Sequence, residues 1–285
     1  MKKNILLCGK NSYVGSMLMK NLNEKFNFTE LDMRKSKWKD FDFTPFDTIV
    51  FLAAIVHRPD VQDSHLYKEV NEDLPVKVAE LAIKQGVKQF VFFSTMAVYG
   101  LAPSITGNGR VSVDTPYNPV DLYGKSKLNA EIQLVNLQQK YPFVLSIVRP
   151  PNIYGENCPG NYYRYMKLCA KYLFLFPLLR QNQFSMIHVD NLSSVIGKLI
   201  SDRASGLVCP QDAGEKSNSG RIAQLAKENN RTHYQSVFLG KILYAFYKIF
   251  PLKQITNLFG DMYYDESLNN PIPLTKINYP SLLKY

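Results

Sequence analysis

Residues 9–15 read Gly9-Lys10-Asn11-Ser12-Tyr13-Val14-Gly15 and lie between a short apolar run and a segment of helical periodicity. Glycine at position 9 permits a tight turn out of a strand, and glycine at position 15 permits close packing of a helix on that strand. The free N–H groups at the start of the helix can bind a pyrophosphate. The spacing therefore predicts a dinucleotide site at the first strand–helix turn, formed by Gly9, Asn11, Ser12, Tyr13, Val14 and Gly15.

Three nearby residues leave alternatives open. Ser12 stands where a third glycine would let the backbone approach a phosphate, so its hydroxyl either binds the phosphate or caps the helix. Asp32 ends the second predicted strand, where a carboxylate can bind the adenosine ribose and favours NAD, although a turn residue also fits there. Arg34 would instead attract the 2′-phosphate of NADP. We expect a reduced or oxidised NAD(P)(H) cofactor, with NAD(H) favoured.

The first two thirds of the chain alternate β-rich runs with helical segments. The strand candidates are almost continuously apolar, which is typical of interior strands covered on both faces, and they span 4–8, 28–33, 48–53, 89–95 and 144–148. Helix candidates span 13–24, 67–85, 122–139 and 192–200, and a short apolar run returns at 206–209. This alternation predicts an α/β fold, a Rossmann-like doubly wound parallel sheet with helices on both faces.

The pattern becomes irregular after residue 150, where prolines and glycines mark turns. We therefore predict an NAD(P)-binding domain of residues 1–152, to which 187–212 return. Residues 153–186 and 213–285 are predicted to form a smaller, interleaved C-terminal substrate lobe.

Composition excludes several classes of protein. The 285 residues are 46% apolar and 20% charged, which excludes disorder. The four cysteines form no CxxC pair and the four histidines form no HExxH, so we expect no metal site. The start of the chain lacks a signal-peptide core and the longest apolar run, 172–179, is too short to span a bilayer, so a cytoplasmic location is expected. The net charge of +10 favours anionic partners, but the basic residues are scattered and predict no nucleic-acid arm.

Two further patterns bear on chemistry. One pattern is a tyrosine and a lysine one turn apart on a predicted helix, in Tyr123-Gly-Lys-Ser-Lys127. An ammonium at that spacing can lower the pKa of the phenol. The alternative interpretation is that Lys127 is an ordinary exposed charge. Ser94 and Thr95 end a buried run, and ligands of doubly wound sheets bind at the carboxyl ends of strands. Their hydroxyls can hold a substrate oxygen beside Tyr123, or simply end the strand.

These patterns belong to an ordered series of motifs. The series comprises Gly9 to Gly15, Phe51-Leu-Ala-Ala54, Asn71, Phe92-Phe-Ser-Thr-Met-Ala-Val-Tyr-Gly100, Tyr123-Gly-Lys-Ser-Lys127, Arg149-Pro-Pro-Asn-Ile-Tyr-Gly155 and His188-Val-Asp-Asn-Leu192. Over residues 3–212 it resembles the extended short-chain dehydrogenase/reductases, the NAD-dependent epimerase/dehydratase family. The resemblance implies an NAD(P)-dependent enzyme acting on nucleotide-sugars.

The resemblance also implies roles for individual residues. Tyr123 would be the catalytic acid/base, Lys127 would hold the nicotinamide ribose, and Thr95 would be the hydroxyl partner of Tyr123. The other candidate cofactor residues are Leu52, Ala53, Ala54, Asn71, Ser94 and Pro150. The candidate substrate residues, besides Thr95, are Met96, Asn152, Asn161, Arg164 and Arg180.

The choice of reaction depends on positions 96 and 97. Dehydratases of this family carry two carboxylates there, and this chain has Met96 and Ala97, neither of which can move a proton. Keto reduction and 4-epimerisation remain. The closer likeness, to short bacterial members from surface-polysaccharide clusters, implies NAD(P)H-dependent reduction of a UDP-4-keto-6-deoxy-N-acetylhexosamine to UDP-N-acetylfucosamine or quinovosamine. A UDP-sugar 4-epimerase is the alternative, and a non-catalytic nucleotide-binding scaffold is the alternative from another class.

Three expectations concern partners. The family usually has an arginine that clamps the diphosphate where this chain has Phe184, and Arg180 and Arg164 are the nearest substitutes. A homodimer is expected through 67–85 and 122–139, as the resemblance implies. The apolar, aromatic segment 238–252 either packs inside the second lobe, which we favour, or makes a peripheral membrane contact.

Overall fold

The computed structural model describes residues 1–34, 36–56, 63–105, 109–172, 175–178, 182–214 and 216–284. Its strands are β1 (Lys3–Cys8), β2 (Phe26–Leu31), β3 (Thr48–Phe51), β4 (Gln89–Phe93), β5 (Arg110–Val111), β6 (Val144–Val148), β7 (Asn152–Tyr154), β8 (Leu175–Pro177), β9 (Met186–His188), β10 (Gly206–Val208), β11 (Tyr234–Ser236) and β12 (Tyr263–Tyr264). Its α-helices are α1 (Tyr13–Leu22), α2 (Ser64–Tyr67), α3 (Leu74–Lys84), α4 (Leu122–Lys140), α5 (Asn161–Tyr172), α6 (Val189–Asp202), α7 (Asn218–Glu228), α8 (Val237–Ile249) and α9 (Lys253–Phe259). In the part of the chain described, no helix is long and apolar enough to cross a membrane.

The main sheet has six parallel strands in the order β2-β1-β3-β4-β6-β10. The strand order reverses between β1 and β3, and in doubly wound sheets ligands bind in the crevice at this reversal. The loop after β3 is held beside the end of β1, because the N–H groups of Leu52 and Ala53 donate to the Cys8 carbonyl at 2.9 and 2.8 Å. The predicted Rossmann-like architecture is confirmed, and its topology places the turn at Gly9 next to Ala53.

The five predicted strands are present, with ends shifted by two residues or fewer. The prediction that each is an interior strand is wrong for β2, which lies at the edge of the sheet. Asn27 and Thr29 of β2 are exposed, and the three polar residues in its sequence, Phe-Asn-Phe-Thr-Glu-Leu, agree with that position. The run predicted at 206–209 forms β10.

One predicted helix is interrupted in the structure, and several observed helices were not predicted from the sequence. The segment 67–85 passes through a π-helical stretch, Lys68–Asp73, before α3. Pro75, which lacks an N–H, follows that stretch at the start of α3, where a missing donor is tolerated. No helix was predicted at α8, which is largely apolar apart from Lys241 and Lys248, two residues that lie seven positions apart on one side of the helix.

Apolar side chains form three clusters. One fills the space between the sheet and α3 and α4, and a second lies on the opposite face beneath α1 and α6. The third lies in the C-terminal lobe among α5, α7 and α9, and includes Phe184 and Phe176. The sheet is therefore covered on both faces, and the lobe has its own core.

A buried ion pair ties the sheet to α4. Arg149, directly after β6, and Glu131, in α4, have no exposed side-chain surface. The Arg149 Nε donates to the Glu131 carboxylate at 2.9 Å, and a second guanidinium nitrogen donates to the other oxygen. Four hydroxyl groups complete the network. Those of Ser94 and Tyr279 donate to the Glu131 carboxylate. Those of Tyr99 and Tyr117 accept from the Arg149 guanidinium.

We predict that Glu131→Gln lowers the free energy of unfolding by about 3–5 kcal/mol, because it leaves the Arg149 guanidinium buried without a carboxylate. Urea unfolding followed by circular dichroism measures the loss. Lys198→Ala, which removes the exposed Lys198–Asp202 pair, is the control and should leave the midpoint unchanged. Equal midpoints for wild type and Glu131→Gln would contradict the importance of the pair.

Candidate active site

A cleft of about 900 Å³ opens at the carboxyl ends of β1 and β3. It is lined by seven of the sixteen residues predicted for the cofactor, namely Gly9, Ser12, Asp32, Arg34, Leu52, Ala53 and Ala54. Residues that the sequence did not single out, such as Trp38, Glu69 and Lys77, form the remaining wall. The volume lies in the range of small-molecule and cofactor sites. We call it the cofactor cleft.

The turn at Gly9 fits a close approach of backbone to ligand. Gly9 has a φ of +136°, and a Cβ atom there would lie 3.0 Å from the Ala53 nitrogen, so another residue would be strained and crowded. The Ser12 hydroxyl accepts a hydrogen bond of 3.0 Å from the Gly15 N–H and caps α1. Of the two interpretations of Ser12, capping is observed. Because Ser12 also lines the cofactor cleft, the N-terminus of α1 lies at that cleft.

Asp32 and Arg34, the two residues expected to decide between NAD and NADP, hydrogen bond to each other. The Arg34 guanidinium donates two hydrogen bonds to the Asp32 carboxylate, at 2.9 and 2.8 Å, and this contact raises the pKa of Arg34. Three quarters of the Arg34 side chain is exposed, against one quarter of Asp32. A ribose hydroxyl can therefore share the Asp32 carboxylate, whereas the same carboxylate would repel a 2′-phosphate brought next to it.

Several predicted cofactor residues are occupied by contacts within the protein. The Asn71 side chain is fully buried, and it binds both backbone groups of Ile55, at 2.7 and 2.9 Å, so that it holds the wall of the cofactor cleft. Ser94 is 4% exposed and donates to Glu131. The Tyr13 hydroxyl donates to the Glu156 carbonyl at 3.0 Å, and burial raises its pKa to about 12.

The remaining residues of the first turn and of the β6 edge have backbone or packing contacts. The Asn11 N–H donates to Glu30 at 2.9 Å, and Asn11 adopts a φ of +61°. Val14 packs against the cluster beneath α1. Pro150 is buried and its carbonyl accepts from the Met96 N–H at 3.2 Å.

Thr95 and Tyr123 meet at the end of β4. Thr95 caps a 3₁₀ turn, Met96–Tyr99, by accepting from the Ala97 N–H at 3.1 Å. Its hydroxyl hydrogen bonds to the Tyr123 phenol, which lowers the pKa of Tyr123, but burial dominates and raises that pKa to about 12. Gly124 lets α4 approach this turn, since a Cβ there would lie 2.8 Å from the Ala97 carbonyl. The phenol is therefore protonated at neutral pH.

Lys127 lies one turn further along α4, with 1% of its surface exposed. Its ammonium donates to the Phe93 carbonyl at 2.7 Å and lies 4.7 Å from the centre of the Phe92 ring. Burial lowers the pKa of Lys127 to about 7, and the nearby Glu131 carboxylate opposes that shift. The expected lowering of the Tyr123 pKa by this ammonium is not observed, because burial of the phenol outweighs other influences and Lys127 is bonded to the backbone.

A second pocket, of about 200 Å³, lies beyond Thr95. The predicted residues Thr95, Met96, Pro150 and Asn152 line it together with Phe184, Ser185 and Met262. We call it the distal pocket. Arg164 is exposed on α5, Asn161 begins α5 with its side chain outside the described residues, and Arg180 lies outside the described residues.

Phe184 is 3% exposed and belongs to the core of the lobe while also lining the distal pocket. Its carbonyl accepts a hydrogen bond of 2.7 Å from Arg221, a buried arginine at the start of α7 that sequence analysis missed. No motif marks Arg221 in the sequence. Glu131 was also missed, although its position one turn after Lys127 on the same helix was a usable signal.

The sheet, the cofactor cleft at its reversal point and the Thr95–Tyr123–Lys127 set define a class: NAD(P)-dependent enzymes of the short-chain dehydrogenase/reductase type. Residues 5–171 match the NAD dependent epimerase/dehydratase family. The chain belongs to that family.

Two relatives and one solved structure illustrate the likeness. The chain is 33% identical over 223 residues to N-acetyl-alpha-D-glucosaminyl-diphospho-ditrans,octacis-undecaprenol 4-epimerase of Escherichia coli O157:H7, covering 72% of this chain and 66% of that protein. It is 31% identical over 250 residues to UDP-glucose 4-epimerase of Vibrio cholerae, covering 79% and 76%. The fold is similar to that of a dTDP-4-dehydrorhamnose reductase from Clostridium acetobutylicum, with a TM-score of 0.65, 20% identity and 82% of each chain covered.

We predict that Asp32→Ala weakens NADH binding by about tenfold, because it removes a charged acceptor for the ribose hydroxyls. NADPH should lose less or gain, since Arg34 is released. Fluorescence titration with both reduced cofactors measures the change, and Asp202→Ala, on the exposed face of α6, is the control. If Arg34→Ala abolishes NADPH binding and leaves NADH binding unchanged, the preference for NAD is wrong.

Proposed function

We propose that this protein is an NAD-dependent 4-epimerase that acts on a hexose or N-acetylhexosamine carried on a diphosphate. The observation that carries the proposal is the Tyr123 phenol placed beside the hydroxyl of Thr95, a residue that lines the distal pocket. The names of the E. coli and V. cholerae relatives support C4 as the reacting carbon. Their named substrates, a polyprenyl-diphospho sugar and a UDP-sugar, share the diphosphate.

The residues present can handle the one proton that the reaction moves. The residues that line the cofactor cleft would hold NAD, which would supply reversible hydride transfer at C4. Tyr123, once its own proton has passed to solvent, would take the proton of the C4 hydroxyl as the carbonyl forms and would give it back when the hydroxyl is restored. The Thr95 hydroxyl, whose oxygen is already an acceptor for Ala97, donates to the phenol oxygen and stabilises the phenolate.

Loss of water from the sugar is disfavoured by the same site. Dehydration across C5 and C6 needs an acid and a base near those carbons, and the side chains of Met96 and Ala97 have no titratable group. Substrate residues of the lobe formed by 153–186 and 213–285 would hold the sugar in the distal pocket, with Asn152 at its edge.

The second candidate is reduction of a UDP-4-keto-6-deoxy-N-acetylhexosamine, which the sequence favoured. One observation supports it: the pKa of Tyr123, raised to about 12, keeps the phenol in the protonated form that donates to a ketone oxygen. Oxidation of a hydroxyl must first convert that phenol to phenolate. We rank epimerisation first because both relatives named above are 4-epimerases.

An assay with purified protein separates the two reactions. We predict that UDP-glucose, UDP-N-acetylglucosamine or polyprenyl-diphospho-N-acetylglucosamine is converted to its C4 epimer with catalytic NAD and no net formation of NADH. Chromatography of the sugars and absorbance of NADH measure both quantities. Stoichiometric oxidation of NADH by the 4-keto sugar, with no epimer formed, would support the reductase, and neither reaction would support the scaffold.

We predict that Tyr123→Phe lowers turnover about a hundredfold or more and leaves cofactor binding intact, because only the proton donor is removed. Turnover is measured by the epimer assay and binding by NADH fluorescence. Tyr141→Phe, at the end of the same helix, is the matched control and should retain full turnover. Turnover of Tyr123→Phe equal to that of wild type would exclude this residue from the mechanism.

A further inference from the structure

Helix α8 has one face packed on the lobe and another exposed to solvent. Leu243 and Tyr247 contact the cluster of the lobe, and Gly240 is buried beside them. These residues recur at the spacing of one helix face. The packing that the sequence favoured for 238–252 therefore accounts for only part of the segment.

The opposite face of α8 is equally apolar. Phe238 and Ile249 are 72% and 71% exposed, and Ile242 and Phe246 lie between them along the helix with about half of their surface exposed. At 100° per residue these four side chains fall within about 80° of one another. The chain continues this face past the helix, since Phe250 and Leu252 are also exposed. We call this set of six residues the α8 surface.

Neighbouring elements extend the exposed apolar area. Thirteen of the nineteen large apolar side chains that are exposed among the described residues lie in α5, β8, β11, α8 and the residues that follow α8. Strand β11 pairs with β8 and leads directly into α8, which places Tyr234 beside Leu175 near the start of the helix. Single exposed apolar residues are ordinary, but a concentration of this kind marks a contact surface.

The charged residues within α8 and α5 are all basic. Lys241 and Lys248 flank the α8 surface, and Lys253 follows it. Helix α5 adds Arg164, Lys167 and Lys171. Residues 229–260 and helix α5 contain no aspartate or glutamate. Basic side chains next to aromatic and aliphatic ones are the composition of helices that lie in a membrane interface.

We propose that the α8 surface docks this protein on an anionic phospholipid bilayer. A helix of 13 residues is about 20 Å long, shorter than the roughly 30 Å hydrocarbon core of a bilayer, so α8 would lie along the interface. Phe238, Ile242 and Ile249 would enter the boundary between headgroups and acyl chains. The lysine ammonium groups would remain at the level of the lipid phosphates, with their methylene stems along the apolar surface. The proposal does not depend on the reaction catalysed.

Charge favours a bilayer over a second copy of the chain. A symmetric dimer through the α8 surface would bring Lys241 and Lys248 of each copy next to the same lysines of the other, with no carboxylate in the helix to offset them. An anionic bilayer supplies negative charge and an apolar layer together. The membrane is therefore the occupant that satisfies both properties of the surface.

Co-sedimentation of the full chain with vesicles tests the proposal. We expect wild type to pellet with vesicles that contain phosphatidylglycerol and phosphatidylcholine, and to bind at least about tenfold more weakly to phosphatidylcholine alone or in high salt. The double variant Phe238→Asp/Ile249→Asp should lose binding by about tenfold or more. Both side chains are more than two thirds exposed, so the variant should fold, which thermal unfolding checks.

Two further variants complete the design. Lys241→Gln/Lys248→Gln should weaken binding to anionic vesicles without altering the fold. Leu282→Asp, at an exposed apolar residue whose neighbour Leu283 packs on the sheet cluster and not on the cluster beneath α8, should bind like wild type. Failure of wild type to pellet with anionic vesicles would overturn the proposal, as would undiminished binding by the aspartate variant. A dimer in sedimentation velocity that Phe238→Asp/Ile249→Asp abolishes, without vesicle binding, would assign the surface to a second copy instead.

Discussion

The ion pair between Arg149 and Glu131 fixes how α4 sits on the carboxyl edge of the sheet. A buried guanidinium stays charged and needs a carboxylate, so the two elements cannot slide past each other without breaking the pair. Glu131 lies one turn after Lys127 and two turns after Tyr123. The ion pair that stabilises the fold therefore also positions the Tyr123 phenol and the Lys127 ammonium relative to the end of β4. Through Ser94 the pair also holds the residue next to Thr95.

The sheet was predictable because its signals are local. Continuous apolar runs, helical periodicity and the glycine turn at residue 9 are each read from a few neighbouring residues, and they gave the strands and the first helices. The edge position of β2 required knowledge of strand order. The π-helical stretch before Pro75 and the helices of the second lobe depend on tertiary contacts. Helix α8 in particular has only two charged residues, Lys241 and Lys248, so its polar side is narrow.

The sequence predicted the proximity of the candidate site residues better than their electrostatics. Sequence patterns predicted Thr95, Tyr123 and Lys127 as site residues, and the structure places the Thr95 hydroxyl beside the Tyr123 phenol. The direction of the Tyr123 pKa shift was wrong because spacing on a helix does not reveal burial. Burial acts oppositely on the two groups, raising the pKa of the phenol and lowering that of the amine, so it favours the neutral form of both.

The replacement of an arginine by Phe184 links the distal pocket to the surface of the lobe. Because Phe184 is apolar, it joins the same cluster that receives Leu243 and Tyr247 from α8. Phe184, which lines the distal pocket, and the packed face of α8 therefore share one apolar cluster. An arginine at 184 would have needed an anionic partner inside this layer, whereas phenylalanine lets the layer be wholly apolar. The lobe can then support a helix with two apolar faces, one for its own core and one for an external surface.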